Sequence, residues 1–186
     1  MKIYEREQRN YEDWNQLAIE NGVVILGSSF AKDIPVYELR QSMEISSNIY
    51  NRSIVDLSVF DAKELLGTCV YALHPRRVLL NLGETDLECG FHTLPEIVEA
   101  YSSLIDEIKR NAKHCEVVLV SVCSNREEIH PEELNRQLTM MAAEKKCKFA
   151  DISKAFSTES PKIKAFQMLK SFMRERMSFA DAMLTV

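Results

Sequence analysis

The sequence predicts an α/β fold in which a parallel β-sheet carries helices on both faces. Three observations support it. Aliphatic runs of strand length recur at Val23–Leu26, Arg77–Leu82 and Glu116–Val122. Helical patterns separate them, so strands and helices alternate along the chain. The first and third strands each end at a glycine, Gly27 and Gly83, where the backbone can turn sharply. With no internal repeat, low-complexity stretch or linker, the 186 residues read as one domain with a substantial core.

Taken in order, residues 11–20 carry Trp14, Leu17 and Ala18 at helical spacing, and Asn21-Gly22 closes that helix. Strand one follows at Val23–Leu26. Ile34-Pro35-Val36 interrupts the chain before a helix over Tyr37–Met43, and Ser47–Arg52 reads as a short second strand. Phe60–Leu73 is helical, with Leu65, Leu66, Cys69 and Leu73 on one face, and His74-Pro75 ends it. After the third strand, Pro95 opens a helix that holds Ile97, Val98, Tyr101, Leu104, Ile105 and Ile108 in register. Glu116–Val122 is the fourth strand, Pro131–Lys146 a helix and Lys148–Ile152 the fifth strand. A last helix is expected from Ile163 to about Met183. Right-handed crossovers make the flavodoxin-like order 2-1-3-4-5 the economical topology.

Composition narrows the function. A net charge of −5 with no basic stripe argues against a nucleic-acid partner. The polar start Met1–Glu7 lacks the apolar stretch of a signal peptide, and no run is long enough to span a membrane. The five cysteines, Cys69, Cys89, Cys115, Cys123 and Cys147, are scattered without a C-x-x-C pair or zinc spacing. Reduced thiols in a cytoplasmic protein are therefore expected. No Gly-Lys-Ser/Thr follows strand one, so nucleotide binding has little support. Met140, Met141, Met168, Met173, Met177 and Met183 read as core packing. The last helix is apolar over more than one stripe, enough for part of it to cover a second copy in a homo-oligomer.

In a parallel sheet, ligands bind beyond the carboxyl ends of the strands. That rim receives Ser28 and Ser29 after strand one, Asn51 and Ser53 after strand two, and Gly83-Glu84-Thr85-Asp86 with His92 after strand three. Ser124, Asn125 and His130 follow strand four, and Ser157 to Lys162 follow strand five. His74 and His114 precede strands and fall on the opposite rim.

Three of these turns look familiar. Gly27-Ser28-Ser29 and Gly83-Glu84-Thr85-Asp86 resemble the first and third sequence blocks of the SGNH (GDSL-type) hydrolases, and Tyr50-Asn51-Arg52-Ser53 is similar to the second. The spacing of the blocks also fits, and the likeness covers roughly residues 20–155. It implies a three-layer α/β/α sandwich that hydrolyses a small-molecule acyl or acetyl ester without metal or organic cofactor. Carried over by position, Ser29 is the nucleophile, with Ser53, Thr85 and the Ser29 amide around the oxyanion. Ser28, Asn51, Gly83, Asp86 and Ser124 are then placed to line the substrate.

The chain departs from the family pattern at four points. Ser28 stands where the family has aspartate, Ser53 where it has glycine and Thr85 where it has asparagine. The fourth is the family's last block, Asp-x-x-His after strand five, which is missing; its positional match is Glu159-Ser160-Pro161-Lys162. The base then falls to His130 or His92 from neighbouring loops, with Glu132 or Glu133 to orient His130, or to Lys162. Two functions remain open: a serine ester hydrolase with an atypical catalytic set, or a catalytically inactive protein (a pseudoenzyme) that binds a ligand or partner in the same cleft.

Overall fold

The computed structural model describes residues 4–124, 126 and 129–174. Its sheet has five parallel strands in the order β2-β1-β3-β4-β5, and these are β1 (Val23–Gly27), β2 (Ile49–Asn51), β3 (Arg77–Asn81), β4 (Glu116–Val120) and β5 (Lys148–Ala150). The expected topology is the observed one. The helices are α1 (Glu5–Asn15), α2 (Ser29–Lys32), α3 (Val36–Ser42), α4 (Val59–Cys69), α5 (Glu84–Cys89), α6 (Leu94–Asn111), α7 (Glu132–Glu144) and α8 (Pro161–Met173).

Strand alternation divides the interior into two cores. Val24, Leu26, Val78, Leu80, Val117 and Leu119 point to the face covered by α1, α4, α6 and α7. Val23, Ile25, Leu79, Val118 and Val120 point to the face covered by α2, α3 and α8. Both faces of the sheet are thereby shielded, which is why its strands read as unbroken aliphatic runs and not as alternating ones. The result is the three-layer α/β/α sandwich.

Several boundaries differ from the sequence-based expectation. The first helix runs over Glu5–Asn15, earlier than 11–20, and buries Tyr11 completely. Trp14 and Leu17, expected on its apolar face, are 53% and 86% exposed, because Asn15 and Arg52 draw the helix to the sheet by a polar contact instead. The turn after β3 is only Leu82 and Gly83, the latter in the left-handed region at φ 104°, and α5 begins at the next residue. The helix expected to continue to Leu73 breaks after Cys69 into a short 3₁₀ turn that ends at left-handed His74. Strands β4 and β5 stop two residues early. Met140 is exposed, whereas Met141 and Met173 are buried. Helix α8 spends Ala165, Phe166, Leu169 and Met173 on the sheet. Its expected extension, with Met177 and Met183, lies outside the described residues.

Gly27 is the tightest point of the sheet. A Cβ there would lie 2.6 Å from Ala31 Cβ and 2.7 Å from the Asn81 carbonyl oxygen, and the second is backbone that cannot step aside. Gly27→Ala should therefore cost about 1–3 kcal/mol by overpacking. At about 2–4 °C per kcal/mol for a domain of this size, thermal unfolding will register the loss. An unchanged midpoint would show that the rim can yield.

Candidate active site

The site is built where β1 gives way to α2. Ser28, with extended backbone (φ −92°, ψ −152°), precedes the helix and is buried. Its N–H donates to the Asn81 carbonyl at 3.1 Å, and its hydroxyl is hydrogen-bonded to that of Thr85 at 2.7 Å. Ser29 opens the helix and is half-buried. Its Oγ donates to Asp56 Oδ1 at 3.1 Å and accepts the backbone N–H of the same Asp56 at 3.0 Å.

Asp56 was not foreseen. It lies in the loop between β2 and α4 with φ at 56°, in the left-handed region where Asp is among the few tolerated non-glycine residues. Its carbonyl accepts the Tyr4 hydroxyl at 3.1 Å, so the start of α1 braces the loop. No sequence signal marks this residue, since neither its backbone conformation nor a contact 27 positions away is visible in hydrophobic periodicity.

The turn after β3 supplies two further carboxylates. Glu84 Oε2 accepts the Phe30 N–H at 3.4 Å. Burial pushes the Glu84 carboxyl up from the ordinary carboxylate range, while the Phe30 N–H opposes the rise. Asp86 is buried and accepts the Val59 N–H through both oxygens, at 3.0 and 3.3 Å, holding the start of α4 to α5. Desolvation raises its carboxyl as well, against the bond from Val59. Phe30 packs on Phe156 with ring centroids 4.7 Å apart, which brings the segment after β5 to the same rim.

Comparison with known proteins adds to this geometry. No protein-family model and no curated protein matches the chain. Solved structures do. One is described as a candidate platelet activating factor from Streptococcus pneumonia; it shares 18% identity over 92% of this chain and 93% of its own, with a TM-score of 0.79. A GDSL-like lipase from Bacteroides thetaiotaomicron shares 15% identity over 88% and 93%, at 0.67. A catalytic mutant of an acetylxylan esterase from Geobacillus stearothermophilus shares 18% over 82% and 93%, at 0.62. The fold is that of the SGNH/GDSL hydrolases.

Within that fold the residues singled out from sequence fare differently. Asn51 Nδ2 donates to the Ala31 carbonyl at 2.8 Å and its Oδ1 accepts the Ser53 N–H at 3.1 Å, so it ties two turns together. That second bond occupies the Ser53 amide. Ser53 is fully buried, and its hydroxyl has no hydrogen-bond partner among the described residues. Thr85 stands beside Ser28, and Gly83 lies two residues past β3, directly before α5. Ser124 Oγ accepts the Arg126 N–H at 3.1 Å. Asn125 lies outside the described residues.

None of the three candidate bases is hydrogen-bonded to Ser29. His92 is exposed and stacks on Phe60, with ring centroids 3.9 Å apart and 25° between the planes. His130 is exposed and sits just before Pro131 at the start of α7. Lys162 Nζ donates to Asp33 Oδ2 at 2.7 Å, so its amine is held in an ion pair. His74 lies before β3 beside Glu20, and His114 before β4, both at the opposite rim as expected. Among the described residues no cluster of three His, Cys, Asp or Glu side chains could hold a metal ion, and no helix is long and apolar enough to cross a membrane.

Two predictions follow from the burial. Ser53→Ala removes a buried hydroxyl without a partner and keeps the amide, so urea unfolding should show a gain of about 1 kcal/mol. A loss would mean that the hydroxyl has a partner in solution. Asp86 has a folded-state pKa above its ordinary value of 3.8, so its contribution is fully present at lower pH and is lost as pH rises through the raised value. Asp86→Asn can still accept the Val59 N–H and has no charge to bury. Its stability relative to wild type should therefore climb as pH is raised above 3.8, and a flat difference would contradict the burial argument.

Proposed function

We propose that the protein is a serine ester hydrolase in which Ser29 attacks the carbonyl of a small acyl or acetyl ester. The observation that carries the reading is the placement of Ser29. Its hydroxyl stands at the carboxyl end of β1, on the rim where parallel sheets bind ligands, with a carboxylate within hydrogen-bond reach to take its proton. The GDSL-like lipase and acetylxylan esterase neighbours support the same class of chemistry. An ester is the fitting substrate because a serine hydroxyl needs only an acyl acceptor and a base, with no cofactor.

A second reading has its own support. The Ser53 amide, one of the donors the family pattern would aim at an oxyanion, is already bonded to Asn51 Oδ1, and no imidazole contacts Ser29. Loss of one oxyanion donor is worth about 10²–10³ in rate. A protein so depleted could serve instead as a binder that holds an ester-like ligand in the cleft without turning it over.

Hydrolysis of p-nitrophenyl acetate by wild type and Ser29→Ala, with a fluorophosphonate adduct sought by mass spectrometry, separates the two. Expected are an adduct on Ser29 and a rate that falls to the buffer background in the variant. No adduct and equal background rates in both proteins would leave the binding reading standing.

A further inference from the structure

Resting on the reading of Ser29 as nucleophile, we propose that Asp56 is its general base and acid, replacing the imidazole that the chain does not place at the site. Asp56 grips Ser29 Oγ from two directions. The carboxylate receives the hydroxyl proton at 3.1 Å, and the backbone N–H donates back to the oxygen at 3.0 Å. The first bond aligns the proton with its acceptor, and the second fixes the oxygen so that a lone pair is directed elsewhere. Both distances lie in the range expected of a nucleophile and its base.

The backbone around Asp56 supports the same assignment. Its left-handed conformation is one glycine would adopt without strain, yet an aspartate stands there. The loop is pinned on both sides of it: Ile54 donates its N–H to the Gly27 carbonyl at 3.1 Å, and Tyr4 donates to the Asp56 carbonyl at 3.1 Å. Asp56 is itself exposed, so water can reach the carboxylate for the second half of the reaction. The charged and titratable groups around it are Glu84 and Tyr4, both raised in part by the Asp56 charge, and Asp61, which accepts the Tyr4 hydroxyl at 3.1 Å.

The steps balance. As Ser29 Oγ bonds to the acyl carbon, its proton passes to Asp56 Oδ1 and the carbonyl electron pair moves onto oxygen. Collapse of that intermediate breaks the ester C–O bond, and the leaving alkoxide takes the proton from Asp56. Acyl-Ser29, free alcohol and the Asp56 carboxylate remain. A water then gives a proton to Asp56 while its oxygen adds to the acyl carbon. Collapse expels Ser29 Oγ, which recovers the proton from Asp56, and the carboxylic acid leaves. The sum is ester plus water to alcohol plus acid. A carboxylate is a weaker base than imidazole, so turnover by this route is slow.

The test compares wild type, Asp56→Asn and Asp56→Gly for the rate of fluorophosphonate labelling at Ser29, alongside their thermal midpoints. Asn keeps the backbone N–H on Ser29 Oγ and can accept a hydrogen bond but cannot take a proton, so it separates base from brace. Glycine removes the carboxylate and relieves the left-handed strain. Both variants should label about 10²–10⁴-fold more slowly, the share of a positioned general base. The glycine variant should melt at or above the wild-type temperature. Labelling of Asp56→Asn at the wild-type rate, or slowing by His92→Ala or His130→Ala instead, would overturn the assignment while leaving Ser29 as nucleophile. Failure of the wild type to label at all would overturn both.

Discussion

The rim depends on the missing side chain at Gly27. Because no Cβ is present, the end of β1 lies against the Asn81 carbonyl on β3 and against Ala31 on α2. Two backbone bonds exploit that closeness, from the Ser28 N–H to Asn81 and from the Ile54 N–H to Gly27 itself. They draw the turns after β1, β2 and β3 into one surface. Side chains then cross-link it: Ser28 to Thr85, Ser29 to Asp56, Asn51 to Ala31, Glu84 to Phe30 and Asp86 to Val59. These bonds give partners to polar groups that burial at the sheet edge would otherwise leave costly. They also place a serine hydroxyl and a carboxylate in register.

Much of this was legible in the chain because the signals were local. A strand buried on both faces must be aliphatic throughout, so Val23–Leu26 and Arg77–Leu82 could be placed to within a residue or two and the sheet order followed from connection rules. The first helix was misplaced because its anchor is polar. Tyr11 is held between Lys32 Nζ and the Ser53 carbonyl, and Arg52 stacks on its ring, contacts that no apolar periodicity announces. The turn after β3 hid α5 for a related reason: Glu84 and Asp86 suit a helix N-terminus as well as a loop.

The site was half legible. Residues directly after a strand fall on the ligand rim by topology, which placed Ser28, Ser29, Asn51 and Thr85 there. Topology does not tell which loop residue bends back to touch another. Asp56 reaches Ser29 because its backbone is left-handed, and that conformation is set by the pinned loop around it, not by its own residue type. His92 and His130 were sensible candidates by position, but an exposed imidazole finds the nearest ring or solvent unless something buried orients it.

A carboxylate base changes what the rest of the rim must supply. If Asp56 takes the Ser29 proton as proposed, it becomes neutral, and the anion that remains at the reacting centre is the oxyanion alone. Donors to that oxyanion then set the rate. The Ser53 amide is occupied, which leaves the Ser29 amide and the pair of hydroxyls on Ser28 and Thr85. At 2.7 Å they share one proton, and either can be the donor. If Ser28 donates, the Thr85 proton is free to turn toward the substrate, and its oxygen, already accepting a hydrogen bond, makes the outgoing bond stronger. Serine at position 28 and threonine at position 85, where the SGNH sequence pattern has aspartate and asparagine, are thus coupled differences. An aspartate at 28 would only accept, taking the Thr85 proton for itself, whereas a serine can give one and leave the threonine hydroxyl to act as the donor that an amide provides elsewhere.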